Sequence, residues 1–283
     1  MTLEDPYRLV PLIMSGDEFE ALSALLLRVF PRARHLTPRY LAWLYAQNPD
    51  GEAVAFSAFA GDILVGHLGG MALTARIEGE ARRGLLLLNS AVHSDHRRRS
   101  LMSRLSEAIF AEGARRGFSF SISTGNRYSS RPLLTRYQPV GLLEARIGIG
   151  WPRRGESAAS PSFERLWSEE ALSWRLANPE RLYSVRRLGE GISVSAQTGL
   201  PGVAALLYQG PGRMPAAESP GPRPLGVWLG RDPGIAWGRS AFLPIPERLR
   251  PSPLNLFFRD LTGGGFVPEP GRLIFQALDF DAY

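Results

Sequence analysis

The sequence predicts a mixed α/β fold, in which a mostly antiparallel sheet is flanked by helices and a second, smaller β-rich unit follows. Apolar residues recur every three or four positions at 17–30 and at 101–116, as on the buried face of a helix. Between these helices, 53–92 reads as consecutive strands separated by turn residues. A Pro-, Ser- and Gly-rich connection at 151–162 then divides the chain into two halves.

Local signals justify each element of the first half. Ser15 or Gly16 can cap the helix at 17–30. Thr37 starts a second helix, with Pro38 at its first helical position. The strands that follow are predicted to form an antiparallel meander. The other predicted elements are a first strand at 5–13, the helix at 101–116 that Gly117 ends, a strand at 118–124, a short helix at 131–137 and a strand at 142–149.

The second half repeats part of the first. Leu-x-Trp at 41–43 precedes Asn-Pro at 48–49, and Leu-x-Trp at 172–174 precedes Asn-Pro at 178–179. We therefore divide the chain into domains 1–150 and 163–283 and interpret the second as a degenerate copy of the first. The copy carries a Pro/Gly-rich loop at 209–224 and later strands. Its tryptophans either line a cleft or pack in the core; they are Trp167, Trp174, Trp228 and Trp237.

Composition excludes several classes of protein. The net charge is +6, and all 33 basic residues are arginine, which binds phosphates in a bidentate manner and favours an anionic ligand. The absence of cysteine excludes thiolate metal sites, and the four histidines lack a zinc-type spacing, so no metal is expected. No apolar run is long enough to predict a membrane helix, and the N-terminus does not resemble a signal peptide. The arginines are scattered, which makes nucleic acid an unlikely partner.

The chemically informative stretch is 85–105, where a buried strand runs into a basic turn that opens onto an amphipathic helix. A helix N-terminus offers unpaired backbone N–H groups and the positive end of the helix dipole, which together suit a phosphate. Arg97, Arg98 and Arg99 add positive charge beside these groups.

This stretch resembles the acetyl-CoA-binding motif of the GNAT superfamily of N-acetyltransferases. Val92 to Arg97 fits the strand end and the basic residue of that motif, and the sequence from Tyr137 to Leu142 resembles the family's Tyr-x-x-x-Gly-Phe ending. The resemblance implies a GNAT-like fold with acetyl-CoA or another acyl-CoA as cosubstrate. The cofactor-binding residues that it implies are Ala91, Val92, Arg97, Arg98, Arg99, Ser100, Leu101, Met102 and Asn126.

Two departures from the family motif affect the turn. Ser100 and Met102 stand where the family has small residues, mostly glycine, that let the backbone approach a pyrophosphate. Ser100 is a good helix N-cap and could keep the backbone donors in place. Met102 would have to point into the core from the first helical turn. These departures weaken the predicted binding of the cofactor or shift the loop.

The resemblance also implies catalytic roles. Tyr137 would protonate the departing thiolate; the alternative is a core aromatic residue that packs beneath the strand. A backbone N–H of the strand that carries Ala91 and Val92 would polarise the acyl carbonyl. Asn89 and Ser90 interrupt an apolar strand, where they could orient a water molecule or the acceptor, or pair with neighbouring backbone. No general base is assigned; the weak candidates are His93 and Glu144.

The sequence thus favours a cytoplasmic acyl-CoA-dependent N-acyltransferase that acts on a small-molecule or peptide amine, as a monomer or homodimer. Two alternatives stay open: a non-catalytic acyl-CoA-binding or scaffolding protein, which the departures at Ser100 and Met102 motivate, and a tandem acyltransferase with long-chain acyl or aminoacyl donors, which the repeated layout motivates.

Overall fold

The computed structural model describes residues 5–155, 160–188, 190–212, 225–250 and 252–280. Its helices are α1 (Gly16–Val29), α2 (Pro38–Ala46), α3 (Leu101–Arg115), α4 (Ser130–Leu133) and α5 (Glu169–Leu176). The strands of the first half are β1 (Tyr7–Pro11), β2 (Val54–Ala60), β3 (Ile63–Ile77), β4 (Glu80–Val92), β5 (Phe120–Gly125), β6 (Gln138–Leu142) and β7 (Glu144–Ile149). Those of the second half are β8 (Phe163–Arg165), β9 (Tyr183–Leu188), β10 (Gly191–Gln197), β11 (Val203–Gly210), β12 (Leu225–Arg231), β13 (Phe242–Pro244), β14 (Asn255–Asp260) and β15 (Leu273–Gln276).

The predicted fold class is confirmed. β2, β3 and β4 form the expected antiparallel meander, and α1, α2 and α3 lie close to their predicted positions. Two details differ. The short helix expected at 131–137 covers only one turn, and the strand expected at 142–149 is observed as β7, with a further strand, β6, directly before it. Thr37 caps α2 as predicted by accepting a hydrogen bond from Tyr40 N, whereas the side chain of Ser15 makes no cap bond.

The two halves share one sheet of fifteen strands, in the order β6-β14-β5-β4-β3-β8-β15-β12-β11-β10-β9 with β1, β2, β7 and β13 beside this path. The same series occurs twice. In the first half β2, β3 and β4 are antiparallel neighbours and β5 is parallel to β4; in the second, β9, β10 and β11 are antiparallel and β12 is parallel to β11. The second half therefore contains the same series of strand directions as the first; that it is a GNAT-like companion domain stays a prediction.

Strand exchange modifies the predicted division into 1–150 and 163–283. β14 comes from the second half but lies between β5 and β6 of the first. Reciprocally, β7 comes from the first half and lies between β12 and β13 of the second. Each half thus completes its sheet with a strand of the other, because hydrogen bonds between strands need no proximity in sequence. The boundary at 151–162 divides the chain, but it does not divide the sheet.

The repeated Leu-x-Trp motif forms a reciprocal contact between the halves. The indole rings of Trp43 in α2 and Trp174 in α5 stack with their centroids 4.7 Å apart. Trp43 Nε1 donates to the carbonyl oxygen of Trp174, and Trp174 Nε1 donates to that of Trp43, each over 3.1 Å. Such mutual bonding follows from an approximate twofold relation between the two copies. It explains why both copies keep the motif, since each tryptophan satisfies a buried carbonyl of the other half.

Aromatic residues form the core between the halves, on the face of the sheet that carries α1 and α2. Phe120 stacks on Phe258 of the exchanged strand β14, and Phe163 packs edge-on against both rings. On the opposite face, α3 buries Leu101, Leu105 and Ile109 against the strands of the first half. This packing fixes the N-terminus of α3 beside the end of β4, where the sequence predicts the binding site.

Candidate functional site

The site begins where two neighbouring strands separate. β4 and β5 are parallel and paired only over Gly84–Leu87 and Phe120–Ser123. β4 continues to Val92 and β5 to Gly125, so their ends diverge and leave an opening in the sheet. The edge of β4 that faces this opening carries backbone groups that β5 does not pair, and these groups are available to a ligand that enters between the strands.

A β-bulge distorts β4 beside the opening. Gly69 is paired with Leu88 and His67 with Ala91, so Asn89 and Ser90 together oppose the single residue Leu68. Asn89 has a φ of 53°, in the left-handed region, which asparagine tolerates better than most residues. The bulge therefore lies at the pair of residues that the sequence singled out as polar interruptions of an apolar strand.

Strand alternation gives the direction of the peptide groups around the bulge. The backbone N–H of His93 donates to Val65 O on β3. Two residues earlier, Ala91 faces β3 as well, so the N–H and C=O of Ser90 and Val92 point away from β3 toward the opening. The carbonyl of Val92 accepts a bond of 3.2 Å from Arg97 Nε, as this direction requires. These N–H groups are the candidates for polarising an acyl carbonyl.

The basic turn before α3 has a left-handed backbone at two non-glycine residues. A 3-10 turn at Ser94–His96 follows β4, and then Arg98 and Ser100 adopt φ values of 63° and 56°. Ser100 thus takes the conformation that the family's glycine adopts without strain. It is the N-cap residue of α3, but its side chain makes no cap hydrogen bond, so the first N–H groups of the helix are not used by the serine.

The arginines of this turn are exposed, and Arg97 lies at the end of β4 through its bond to Val92 O. Leu101 is buried in the core, and Met102 is half-buried against the same cluster. The hydroxyl of Ser90 donates to Met102 Sδ over 3.2 Å. Met102 therefore packs inward, as its position demanded, and joins the turn to the bulge instead of filling the space in front of the helix N-terminus.

Asn89 is connected to a chain of buried polar side chains. Its Nδ2 donates to the hydroxyl of Tyr45 over 2.9 Å, and that hydroxyl lies 3.1 Å from His67 Nε2. Ser57 Oγ lies 3.2 Å from His67 Nδ1. Burial lowers the pKa of His67 to about 3 and raises the pKa of Tyr45 well above its usual value, so both groups are neutral. Sequence reasoning missed Tyr45, His67 and Ser57, because they are far apart in the chain.

Tyr137 lies in the core. Its hydroxyl is 2.9 Å from Ser121 Oγ, and its ring packs edge-on against Phe110 of α3. Burial raises the pKa of this hydroxyl well above its usual value. The packing role weighed from the sequence accounts for these contacts, whereas the role as an acid requires the hydroxyl to leave Ser121 and reach the opening. The acid role stays a prediction.

Asn126 and the two weak base candidates make local contacts. Asn126 Oδ1 accepts bonds from the backbone N–H of Tyr128 and of Ser129, which shapes the turn before α4. His93 Nδ1 lies 3.8 Å from Asp95 in the turn after β4, and Glu144 forms an ion pair with Arg146 on β7. These contacts do not bring Asn126 or Glu144 to the bulge.

The second half shows what occupies the equivalent opening there. The two halves can be aligned at the first residue of each parallel strand pair, which is Gly84 where β4 pairs with β5 and Val203 where β11 pairs with β12. Counted from these residues along the strand, Gln209 corresponds to Ser90. The side-chain amide of Gln276 accepts from Gln209 N over 2.9 Å and donates to Gln209 O over 3.1 Å. The chain's own β15 thus fills this opening. Most of the loop predicted at 209–224 lies outside the described residues.

The four tryptophans of the second half have packing roles. Trp228 is buried edge-on against Trp237, and Trp174 stacks on Trp43. Trp167 Nε1 donates to Asp279 over 3.0 Å. In the described ranges, no group of three or more histidine, aspartate and glutamate side chains is placed to hold a metal ion. No helix in the described part of the chain has the length and apolarity needed to cross a membrane.

The sheet that opens beside a helix N-terminus has the architecture of an acyltransferase fold. Residues 13–137 match a family model described as the acetyltransferase (GNAT) domain, which confirms the resemblance predicted from the sequence. A search of curated proteins found no match.

Solved structures with this fold cover both halves of the chain. A GCN5-related N-acetyltransferase from Kribbella flavida has a TM-score of 0.62 at 13% identity and covers 90% of this chain and 72% of its own. A probable N-acyltransferase of unknown function from Enterococcus faecalis V583 has a TM-score of 0.61 at 10% identity, with 90% and 73% covered. Eis1 from Mycobacterium abscessus has a TM-score of 0.54 at 14% identity, with 90% and 73% covered. At these identities the similarity establishes the fold alone.

Proposed function

We propose that this protein is an acyl-CoA-dependent N-acyltransferase that transfers an acetyl group from acetyl-CoA to the amine of a small molecule or peptide. The observation that carries the proposal is the opening between β4 and β5 next to the N-terminus of α3, within a GNAT domain. The acyl-pantetheine arm would enter the opening and the pyrophosphate would lie at the basic turn. The cytoplasm is the proposed location, because acyl-CoA is an intracellular cosubstrate.

The filled opening of the second half supports this assignment to the first. There the side-chain amide of Gln276 bonds both backbone groups of Gln209, which supports an amide-bearing ligand at the equivalent place in the first half. The pantetheine arm of CoA carries such amides. We therefore propose one acyl-CoA per chain, bound by Ser90, Val92 and the turn from Arg97 to Met102.

In the reaction, the neutral amine attacks the thioester carbonyl, a C–N bond forms, and the C–S bond breaks to release CoA thiolate. A backbone N–H of β4 stabilises the oxyanion of the tetrahedral intermediate. One proton leaves the amine and one is taken up by the thiolate. Tyr137 is the proposed donor of the latter, provided that its hydroxyl turns from Ser121 to the opening.

Calorimetric titration with acetyl-CoA tests the binding step. We expect one site per chain, and we expect Arg97→Glu to reduce the affinity at least tenfold, because it places a carboxylate where the pyrophosphate would lie. Arg115→Glu, at the other end of α3, is the matched control and should bind normally. Equal affinity in both variants would remove the turn from the site.

Turnover distinguishes the proposed enzyme from an acyl-CoA-binding protein without catalysis. The buried position of the Tyr137 hydroxyl, which is bonded to Ser121, favours this second candidate, because a proton donor must be free to reach the thiolate. The chain contains no cysteine, so a thiol reagent reports only the CoA that is released. Release of CoA with a panel of primary amines supports the enzyme; tight binding of acetyl-CoA without release supports the binding protein.

A further inference from the structure

The buried chain that ends at Asn89 has a fixed direction of proton donation. The amide nitrogen of Asn89 can only donate, so the hydroxyl oxygen of Tyr45 accepts there and its proton is available to His67 Nε2. A neutral imidazole that accepts at Nε2 carries its proton on Nδ1, which faces Ser57 Oγ. The direction of the Asn89–Tyr45 hydrogen bond therefore fixes the direction of the Tyr45–His67 bond, which in turn fixes that of the His67–Ser57 bond.

The surroundings keep the Tyr45 hydroxyl in place. Tyr45 and His67 are fully buried, and their rings stack with centroids 5.9 Å apart. Gly69 lies directly against the hydroxyl, where a Cβ atom would collide with it. The tyrosine comes from α2, the histidine from β3 and the asparagine from β4, so the chain connects three elements of the first half at the bulge.

The series of hydrogen-bonded side chains ends at Asn89, the residue whose backbone shapes the site. Asn89 is held at a φ of 53°, and this left-handed conformation sets the direction of the peptide groups that follow in Ser90 and Val92. At the corresponding position of the second half stands Tyr208, whose hydroxyl donates to Pro211 O over 2.8 Å. That position does not support an open site, because Gln276 fills the opening there.

We propose that Tyr45 is a positioning residue: its hydroxyl, fixed by His67 and Ser57, holds Asn89 so that the bulge of β4 presents its N–H groups to the acyl carbonyl. The proposal rests on the proposed acyltransferase function and adds a residue outside the opening to it. Tyr45 does not bond to the basic turn proposed for the pyrophosphate and acts only through the bulge, so its effect on the chemical step should be much larger than its effect on the affinity for CoA.

The test compares Tyr45→Phe with Tyr208→Phe. Both variants lose a tyrosine hydroxyl, but Tyr208 lies in the second half, at the position that corresponds to Asn89. Removal of one oxyanion donor slows turnover about 10²- to 10³-fold in enzymes, and misplacing it has a smaller effect. We expect Tyr45→Phe to slow turnover by about 10- to 100-fold and to leave the Kd of acetyl-CoA within about twofold. Tyr208→Phe should keep turnover within about twofold.

A double variant shows whether Tyr45 acts through Asn89. Asn89→Gly removes the amide but keeps the left-handed backbone accessible. If the two residues act as a unit, Tyr45→Phe with Asn89→Gly should have a kcat no lower than the worse single variant. Multiplying losses would show that Tyr45 acts by another route and would overturn the proposal.

The remaining outcomes separate this proposal from the proposed function. A wild-type protein that turns over, with Tyr45→Phe equal to Tyr208→Phe in kcat, overturns the positioning role alone. Loss of acetyl-CoA affinity in Tyr45→Phe as large as the loss of kcat also overturns it, because the effect would then be on the whole site. A wild-type protein that releases no CoA with any amine refutes both proposals.

Discussion

The reciprocal tryptophan contact leads to a prediction about how the two halves stabilise each other. Trp43→Phe removes an indole N–H and the hydrogen bond that it donates to the carbonyl of Trp174, and Trp174→Phe does the same in reverse. The loss of one hydrogen bond is worth about 1 kcal/mol. The smaller ring buries roughly 40 Å² less apolar surface, which is worth about 1 kcal/mol more. Loss of the stacking between the indole rings adds about 1 kcal/mol, so each single variant should lose about 3 kcal/mol of the free energy of unfolding.

The double variant should lose less than the sum of the two. The stacking of the indole rings, with centroids 4.7 Å apart, is broken by either substitution and is therefore counted twice in the sum. Aromatic pairs contribute about 0.5–1.5 kcal/mol beyond burial, so the coupling between the two substitutions should fall in that range. The double variant should lose about 5 kcal/mol, against about 6 kcal/mol for the sum of the two single variants.

Urea denaturation followed by far-UV circular dichroism measures these differences. Because β7 and β14 are exchanged between the halves, we expect one unfolding transition for the whole chain. Trp237→Phe is the control, since Trp237 lies in a different cluster, against Trp228 and beneath Arg146, and is not part of the stacked pair. Strictly additive losses, or two single variants that differ by more than about 1 kcal/mol, would refute the reciprocal contact. Two separate transitions would refute the cooperative sheet.

Three further predictions concern the site. Ser100→Gly should raise the free energy of unfolding by up to about 1 kcal/mol in thermal or urea unfolding, because glycine adopts the observed φ of 56° without strain; a loss of stability would contradict this. Tyr137→Phe should slow turnover by about 10²- to 10⁴-fold, because the variant cannot protonate the departing thiolate, and should lose about 1 kcal/mol of the free energy of unfolding through its bond to Ser121; wild-type turnover in the variant would show that Tyr137 has only a packing role. Burial lowers the pKa of His67 to about 3, so below pH 6.5 the unfolded chain takes up a proton that the native state excludes. The free energy of unfolding of the wild type, minus that of His67→Gln, should therefore fall by about 1.4 kcal/mol for each unit by which the pH is lowered from 6.5 to 3. A difference that does not depend on pH would refute a neutral, buried His67.

The position of the basic turn could be predicted from the sequence, because a strand, a run of arginines and an amphipathic helix are all local patterns. The same holds for the helices and for the meander of 53–92, whose periodicities are properties of short windows. Asn89 and Ser90 were noticed for a local reason as well, since they interrupt an apolar strand. Their bulge and the left-handed backbone of Asn89 were not predictable, because a bulge depends on the register with a second strand.

The repeat of Leu-x-Trp also shows the limit of local signals. The sequence indicates two related halves, but it does not indicate that their tryptophans face each other or that β7 and β14 change places. Pairing between distant strands depends on the whole arrangement of the sheet. Likewise, the spacing from Tyr137 to Gly141 matched a catalytic pattern, whereas the direction of the hydroxyl, toward Ser121, depends on the packing of α3 against β5.

By itself, the sequence determined the fold class, the order of the elements of the first half and the turn at 97–102, because these follow from hydrophobic periodicity and from residue types that are adjacent in the chain. Only the tertiary structure decided which backbone groups face the opening, which polar side chains support Asn89 and which half is closed by Gln276. Those outcomes depend on contacts between residues far apart in the sequence. The free energy of such contacts arises from burial and hydrogen bonding in the folded state, and no short segment of the chain carries it.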